Sequence, residues 1–131
     1  MNRKLDTLRA FVGPAQRSAI YSAMEGEESR YFCEMVTTLV ALLESMPRVY
    51  EQDGKGDDAV VYLHYFTGSQ DWYVTELDTS EEQLQAFGLA DFGDGGEMGY
   101  INISELIAHG VELDLYWKPR TLSAIRERKA A

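Results

Sequence analysis

The chain has one cysteine and no long apolar run, and each of these features excludes a class of protein. Its single cysteine, Cys33, cannot form an internal disulfide, which fits a reducing compartment. The longest apolar stretch, residues 36–43, is interrupted by Thr37 and Thr38 and is too short to span a bilayer. No apolar segment of the kind found in signal peptides follows the opening residues. These absences predict a soluble, cytoplasmic protein.

Basic residues are almost missing from one long segment, residues 51–114, which holds fifteen carboxylates against one base, Lys55. This segment carries a net charge of −14, whereas residues 1–50 are neutral and residues 115–131 carry +4. Negative charge at this density repels nucleic acid and attracts basic surfaces. An aromatic content of 11% is more than a disordered acidic tail would have, so we expect the segment to be folded.

The first part of the chain has the residue spacing of helices. Pro14 suits the first turn of a helix over residues 15–24, because its missing N–H would be unpaired there. A second helix is predicted from about Glu27 until Pro47 stops it, and residues 5–11 carry a weaker helical signal. Apolar residues spaced by three and four line one face of the second helix: Phe32, Met35, Val36, Leu39, Leu42, Leu43 and Met46.

Beyond Gly54 and Gly56 the pattern becomes that of strands. Ser104 is predicted to cap a short helix, and Thr121 a closing basic helix. The pattern predicts one domain, residues 1–131, of the α+β class: an antiparallel sheet of four to five strands with helices packed on one side. Within it, residues 1–48 form a helical extension of a β-rich core, residues 49–131. The predicted strands cover residues 59–66, 71–77, 85–90, 99–103 and 112–117.

Several short motifs in the second part of the chain resemble a known family. They are Tyr50-Glu-Gln-Asp53, Tyr65-Phe66-Thr67, Trp72-Tyr73-x-Thr75-Glu76-x-Asp78, Phe87-Gly88-Leu89, Glu97-Met98-Gly99-Tyr100-Ile-x-Ile-Ser104-Glu105-Leu106 and Asp114-Leu115-x-Trp117-x-Pro119-x-Thr121-Leu122. In order and spacing they resemble the domain of unknown function 2958, found in small proteins of plasmids, conjugative elements and phages. The resemblance implies a compact β-rich domain and no established activity. It does not account for residues 1–46.

The residues capable of chemistry do not form a recognisable catalytic or metal-binding motif. Residues 53–58 do not match the ligand pattern of an EF-hand calcium loop, because Lys55 occupies the third position, where an oxygen ligand is required. His64, His109 and Cys33 lack the spacing of zinc ligands. Residues 91–97 favour a hairpin connection, and weak binding of a hard cation there stays an open alternative. We expect no enzymatic activity, no cofactor and no metal.

The charge pattern favours a binding protein, and the family resemblance implies that it originates from a mobile element. We expect it to present an acidic surface to a basic, DNA- or RNA-binding host protein, as an anti-restriction or anti-CRISPR DNA mimic would. No direct binding to nucleic acid or membrane is expected. The alternative is an accessory or scaffolding domain that homodimerises or binds protein through its N-terminal helices. The acids predicted to bind the partner are Asp53, Asp57, Asp58, Asp71, Glu76, Asp78, Asp91, Asp94 and Glu97.

Overall fold

Helices open and close the chain, and short strands lie between them. The computed structural model describes residues 2–78 and 84–130, so Glu81 and Glu82 of the acidic segment lie outside it. The helices are α1 (Asn2–Arg9), α2 (Pro14–Glu25), α3 (Ser29–Ser45), α4 (Ile103–Ala108) and α5 (Leu122–Ala130), with a single 3₁₀ turn at Gly56–Asp58. The strands are β1 (Val60–Val61), β2 (Leu63–Thr67), β3 (Gln70–Asp78), β4 (Gln85–Asp91), β5 (Glu97–Asn102), β6 (Glu112–Leu113) and β7 (Arg120–Thr121).

The main sheet has five antiparallel strands in the order β5-β4-β3-β2-β6. Strands β2 to β5 follow one another as a meander, and β6 returns to pair with β2 at the far edge. A separate two-stranded antiparallel sheet joins β1 to β7. The α+β class and the antiparallel sheet of four to five strands expected from the sequence are confirmed, and the sheet has five.

One face of the main sheet, which we call the helical face, packs against α1 to α4. Val36, Val40 and Leu43 of α3 are buried there against apolar residues of the sheet. Tyr65 of β2 is also buried, and its hydroxyl donates to the carbonyl oxygen of Phe11 at 2.5 Å. Burial raises the pKa of that hydroxyl. The apolar stripe of α3 therefore contributes to the protein's own core.

The opposite face, which we call the α5 face, carries a second and smaller core. Leu122 and Ile125 of α5 are buried there with Tyr73 and Leu89 of the main sheet. The three-residue spacing of Leu122 and Ile125 places them on one side of the helix. Helices therefore cover both faces of the sheet, four on one and α5 on the other, whereas the sequence predicted them on one side.

Three local features differ from the expected elements. The strand predicted over 59–66 is divided at Tyr62 into β1 and β2, which belong to different sheets. The last predicted strand is reduced to β6, because the Asp114 carboxylate accepts the N–H of Tyr116 at 3.0 Å and turns the chain. Helix α4 is capped by Asn102, whose side-chain oxygen accepts the N–H of Glu105 at 3.0 Å, and not by Ser104. The predicted cap by Thr121 is confirmed by its bond from the N–H of Ala124.

Strands β3 and β4 approach each other closely at Gly88. A Cβ atom at this position would lie 2.0 Å from the carbonyl oxygen of Tyr73, which is backbone and cannot move aside. Gly99, the partner of Gly88 on β5, has open space around the same position. Gly88 is therefore required by the packing of β3 on β4, and Gly99 is not.

The short strand β6 is completed by a side chain. The amide of Gln16 donates from Nε2 to the carbonyl oxygen of Leu113 at 2.7 Å and accepts the N–H of Leu113 at 3.0 Å. These are the two bonds that a neighbouring strand would supply. Helix α2 is therefore fixed to the edge of the sheet by hydrogen bonds as well as by apolar contacts.

Candidate functional site

The nine acids that the sequence assigned to a binding surface differ in exposure. Glu76 and Asp91 are buried, each with 4% of its surface exposed, so they are not surface acids as predicted. The reason is that both lie on the α5 face, which α5 and the loop before β1 cover. Asp71 and Asp78 are half-buried. The five exposed acids, which we call the acidic rim, are Asp53, Asp57, Asp58, Asp94 and Glu97.

The acidic rim comes from two segments that are distant in sequence, and Arg126 of α5 joins them. Its Nε lies 3.2 Å from Oδ1 of Asp57, and its Nη1 donates to the carbonyl oxygen of Gly95 at 3.4 Å. One arginine therefore contacts both the loop before β1 and the turn between β4 and β5. The basic C-terminal helix folds against the acidic segment and partly neutralises it.

Lys129 of α5 pairs with two more of the predicted acids. Its Nζ donates to Oδ2 of Asp91 at 2.6 Å and to Oδ2 of Asp71 at 3.4 Å, and it lies 5.0 Å from the centre of the Tyr73 ring. The hydrogen bond from Lys129, followed by that from the N–H of Gly93, lowers the pKa of Asp91. Desolvation by burial lowers the pKa of Lys129. The hydrogen bonds to Asp91 and Tyr73 raise it by more, so the net effect is a raised pKa. Asp91 and Asp71 therefore hold α5 on the sheet.

His64 extends this network, a role that no sequence motif indicated. Its Nε2 lies 2.7 Å from Oδ1 of Asp71, and its Nδ1 lies 3.1 Å from Oδ2 of Asp114. The ring stacks on Tyr73 with centroids 4.9 Å apart and planes inclined by 10°. The network holds β2, β3 and the turn after β6 together on the α5 face.

The acids of the 91–97 segment are used within the turn itself. Asp91 accepts the N–H of Gly93 at 2.9 Å, and Asp94 accepts the N–H of Gly96 at 3.1 Å. Such bonds are typical of Asx turns. Across residues 2–78 and 84–130, no three His, Cys, Asp or Glu side chains are grouped so that they could hold a metal ion.

A cavity of about 480 Å³ opens on the α5 face beside the acidic rim. Glu76 and Gln52, both buried, line it together with the aromatic residues Tyr50 and Phe87 and with Met98. Asp53 and Asp57 of the acidic rim line it as well. The cavity therefore combines a buried carboxylate, aromatic rings and exposed acids.

Gln52 fixes the loop that forms one wall of this cavity. Its Nε2 donates to the carbonyl oxygens of Val60 and Thr75, both at 2.9 Å. Its Oε1 accepts the N–H of Val60 at 2.7 Å. The buried amide of Gln52 thus ties its loop to β1 through two hydrogen bonds and to β3 through one, so this wall of the cavity is fixed.

Tyr50 has an unusual backbone at the mouth of the cavity. Its φ angle is 79°, in the left-handed region that residues with a side chain rarely adopt. Its N–H donates to Oε2 of Glu76, and the residue as a whole is 70% exposed. Its hydroxyl lies 2.6 Å from that of Tyr100, and this hydrogen bond is the main cause of the raised pKa of Tyr100. Residues 49–51 thus hold an aromatic ring at the surface at a cost in backbone strain.

The sequence pattern of one family matches residues 35–124, more than half of the chain. Its description is "Protein of unknown function (DUF2958)". The chain belongs to this family. The match confirms the resemblance seen in the sequence and extends it into α3, so the DUF2958 region begins within the helical part of the chain. It includes the loop of Tyr50, strand β3 with Glu76 and the first residues of α5.

Comparison with other proteins adds no further relative of this DUF2958 protein. No curated protein and no solved structure matches the chain. In the part of the chain that the structure describes, none of the helices has both the length and the apolar character needed to cross a bilayer.

Proposed function

We propose that this DUF2958 protein is a non-enzymatic binding protein that recognises a basic surface of a partner protein through its acidic rim. One observation carries the proposal: Arg126 contacts two acidic segments that lie far apart in sequence, and two acids of the rim, Asp53 and Asp57, also line a cavity. Acids gathered in this way attract a basic surface and accelerate its association at low salt.

The arrangement supports recognition of a compact basic site better than imitation of a long duplex. DNA carries one negative charge per 1.7 Å of its axis. Of the nine acids expected on the surface, five are exposed, and one of these, Asp57, pairs with Arg126. The partner we propose is a DNA- or RNA-binding host protein, of the restriction or CRISPR type. The mobile-element setting implied by the family resemblance supports this choice.

Binding or homodimerisation through the N-terminal helices is the competing function. The apolar stripe of α3 packs into the protein's own core, which leaves less apolar surface for a partner there. Two large rings remain exposed in this region, those of Tyr21 and Tyr31. A contact through α2 and α3 would therefore involve these two tyrosines.

Charge reversal separates the two functions in the full-length chain. One variant replaces Asp53, Asp58, Asp94 and Glu97 of the acidic rim by lysine. Its control replaces four exposed acids of the helical part, Glu25, Glu27, Glu28 and Glu44, so that the change in net charge is the same. Each tagged protein is used to capture partners from host lysate, and the captured proteins are eluted at increasing salt and identified by mass spectrometry.

The proposal expects a nucleic-acid-binding partner that salt releases, that the rim variant no longer captures and that the control still captures. Capture that depends on the helical acids instead would support the competing function. Equal capture by all three proteins would refute the acidic rim as the binding surface. Removal of residues 1–46 is not a suitable test, because α1 to α3 supply part of the main core.

A further inference from the structure

Glu76 is a buried carboxylate, and the hydrogen-bond donors that contact it among the described residues are neutral. Its Oε2 accepts the N–H of Tyr50, and its Oε1 lies 3.5 Å from the hydroxyl of Thr75. That hydroxyl has one hydrogen, and the carbonyl oxygen of Phe87 is its nearer acceptor at 3.1 Å. Across residues 2–78 and 84–130, no lysine or arginine forms an ion pair with Glu76. A cation bound beside it would supply a counter-charge and use the remaining acceptor positions of the carboxylate.

The walls of the cavity suit a planar cation. Two aromatic residues, Tyr50 and Phe87, line it. A guanidinium stacks on aromatic faces and also forms two parallel hydrogen bonds with a carboxylate. An ammonium group has no plane to stack on a ring and no fixed pair of donors. The combination of two rings with one carboxylate therefore favours arginine over lysine.

The charge of the lining excludes anions. Asp53, Asp57 and Glu76 are the charged residues that line the cavity among those described, and all three are acidic. Phosphate or a carboxylate ligand would meet repulsion there. A volume of about 480 Å³ is sufficient for a guanidinium together with the aliphatic part of its side chain.

We infer that this cavity receives the guanidinium of one arginine side chain on the basic partner, with Glu76 as its counter-charge and Tyr50 and Phe87 as its stacking surfaces. The inference rests on the proposed function and makes it more specific. The acidic rim attracts the basic surface as a whole, and the cavity selects one arginine at its centre. The strained backbone of Tyr50 keeps its N–H on Glu76 and its ring at the entrance.

The test uses the full chain, a short peptide and NMR. The tripeptide acetyl-Gly-Arg-Gly-amide is titrated into ¹⁵N-labelled protein, and the matching citrulline peptide, which has the same shape and no charge, serves as the ligand control. Two variants remove one element each. Glu76→Gln removes the charge but keeps an acceptor for the N–H of Tyr50. Tyr50→Gly removes the ring but keeps the N–H and suits a positive φ. Glu112→Gln, at an exposed acid on β6, is the protein control.

The inference expects saturable shifts at the amides of Tyr50, Gln52, Glu76 and Phe87 with the arginine peptide. Affinity should fall about tenfold or more in Glu76→Gln, by a smaller factor in Tyr50→Gly, and not in Glu112→Gln. Equal binding of the citrulline peptide would overturn it, as would saturable shifts confined to residues outside the cavity. Dispersion of the ¹H–¹⁵N spectrum shows whether each variant is folded.

A second ligand, nona-arginine, separates failure of the cavity from failure of the proposed function. If the rim variant loses binding of nona-arginine and Glu76→Gln keeps it in full, the inference that the cavity binds arginine is overturned and the proposed function still stands. Binding that survives reversal of the acidic rim would overturn the proposed function itself. Loss in both variants is the expected result.

Discussion

The contact between Lys129 and Asp91 offers the sharpest test of how α5 is held on the sheet. Replacing Lys129 by methionine keeps an unbranched apolar stem of similar length and removes the ammonium group. The Asp91 carboxylate then loses the donor 2.6 Å away, and Asp71 loses the donor at 3.4 Å. Arg128→Met is the matched control, because Arg128 is the preceding residue of the same helix and is exposed.

The expected loss of stability follows from the exposure of the two partners. A hydrogen bond to a charged group contributes about 1.5–3 kcal/mol, and an exposed ion pair about 0–1 kcal/mol. The Asp91 side chain is 6% exposed and that of Lys129 is 40% exposed, so the pair lies between these cases. Asp91 also keeps the N–H of Gly93, which limits the cost of leaving it without a cation. We expect a loss of about 1–2 kcal/mol in the free energy of unfolding.

The loss should depend on pH in a defined direction. The pKa of Asp91 is lowered in the folded protein, first by Lys129, so its contribution is present above the unfolded value of about 3.9. That contribution disappears as the pH falls through the folded pKa, because Asp91 is then protonated in both states. The difference between the wild-type protein and Lys129→Met should therefore be largest near neutral pH and shrink below about pH 4.

Urea unfolding followed by tryptophan fluorescence measures these quantities at pH 7, 5 and 3.5. At pH 7 the midpoint of Lys129→Met should fall by about 1 M urea, with an unchanged slope. Arg128→Met should differ little from the wild-type protein. Equal stability of the two variants at pH 7, or a difference that stays constant down to pH 3.5, would refute the role given to this ion pair.

Three further substitutions test the core and the cavity wall by the same unfolding assay. Gly88→Ala should lower the free energy of unfolding by about 3 kcal/mol or more, because its Cβ would meet the backbone of β3. Gly99→Ala, on the paired strand β5, should change it by less than about 1 kcal/mol. Similar effects of the two substitutions would contradict the close approach of β3 and β4 at Gly88. Tyr65→Phe should cost about 1–2 kcal/mol through its lost buried hydrogen bond, and Tyr116→Phe, at an exposed ring, almost nothing. Tyr50→Gly should leave stability unchanged or raise it by about 1 kcal/mol, since glycine relieves the positive φ, and a marked loss would show that the exposed ring supports the fold.

Local signals in the sequence were sufficient for most of the elements. The three N-terminal helices agree with their spacing of apolar residues and with the positions of Pro14 and Pro47. The meander from β2 to β5 agrees with strand patterns separated by turn residues. Thr121 caps α5 as expected. These features depend on neighbouring residues, which is why one sequence predicts them.

The burial of Glu76 could not be predicted, because it depends on two non-local features. A shift of register between Val74 and Glu76 interrupts the simple alternation of β3. The loop that carries Tyr50 and Gln52 then covers this part of the α5 face. An alternation of acids on a strand indicates a solvated face only when nothing else in the chain folds over it.

The role of His64 depends on the register of a hairpin. A two-residue turn at Gly68 and Ser69 pairs Thr67 with Gln70 and sets His64 opposite Tyr73. Asp71 is then a diagonal neighbour of His64 on the same face. The turn residues are recognisable in the sequence, but they indicate where the chain reverses and not which residues pair. The contact with Asp114 depends on the return of β6 to β2, which no local pattern indicates.

The bond between Gln16 and the edge strand β6 has a consequence for self-association. The polar backbone groups of an edge strand recruit strands from other molecules unless something occupies them. At Leu113 the amide of Gln16 already occupies both groups, so this edge is closed to a further strand. The opposite edge, β5, pairs with β4 alone among the described strands. Addition of a strand to the main sheet is therefore blocked at Leu113 of β6, whereas β5 has no such block in the described part of the chain.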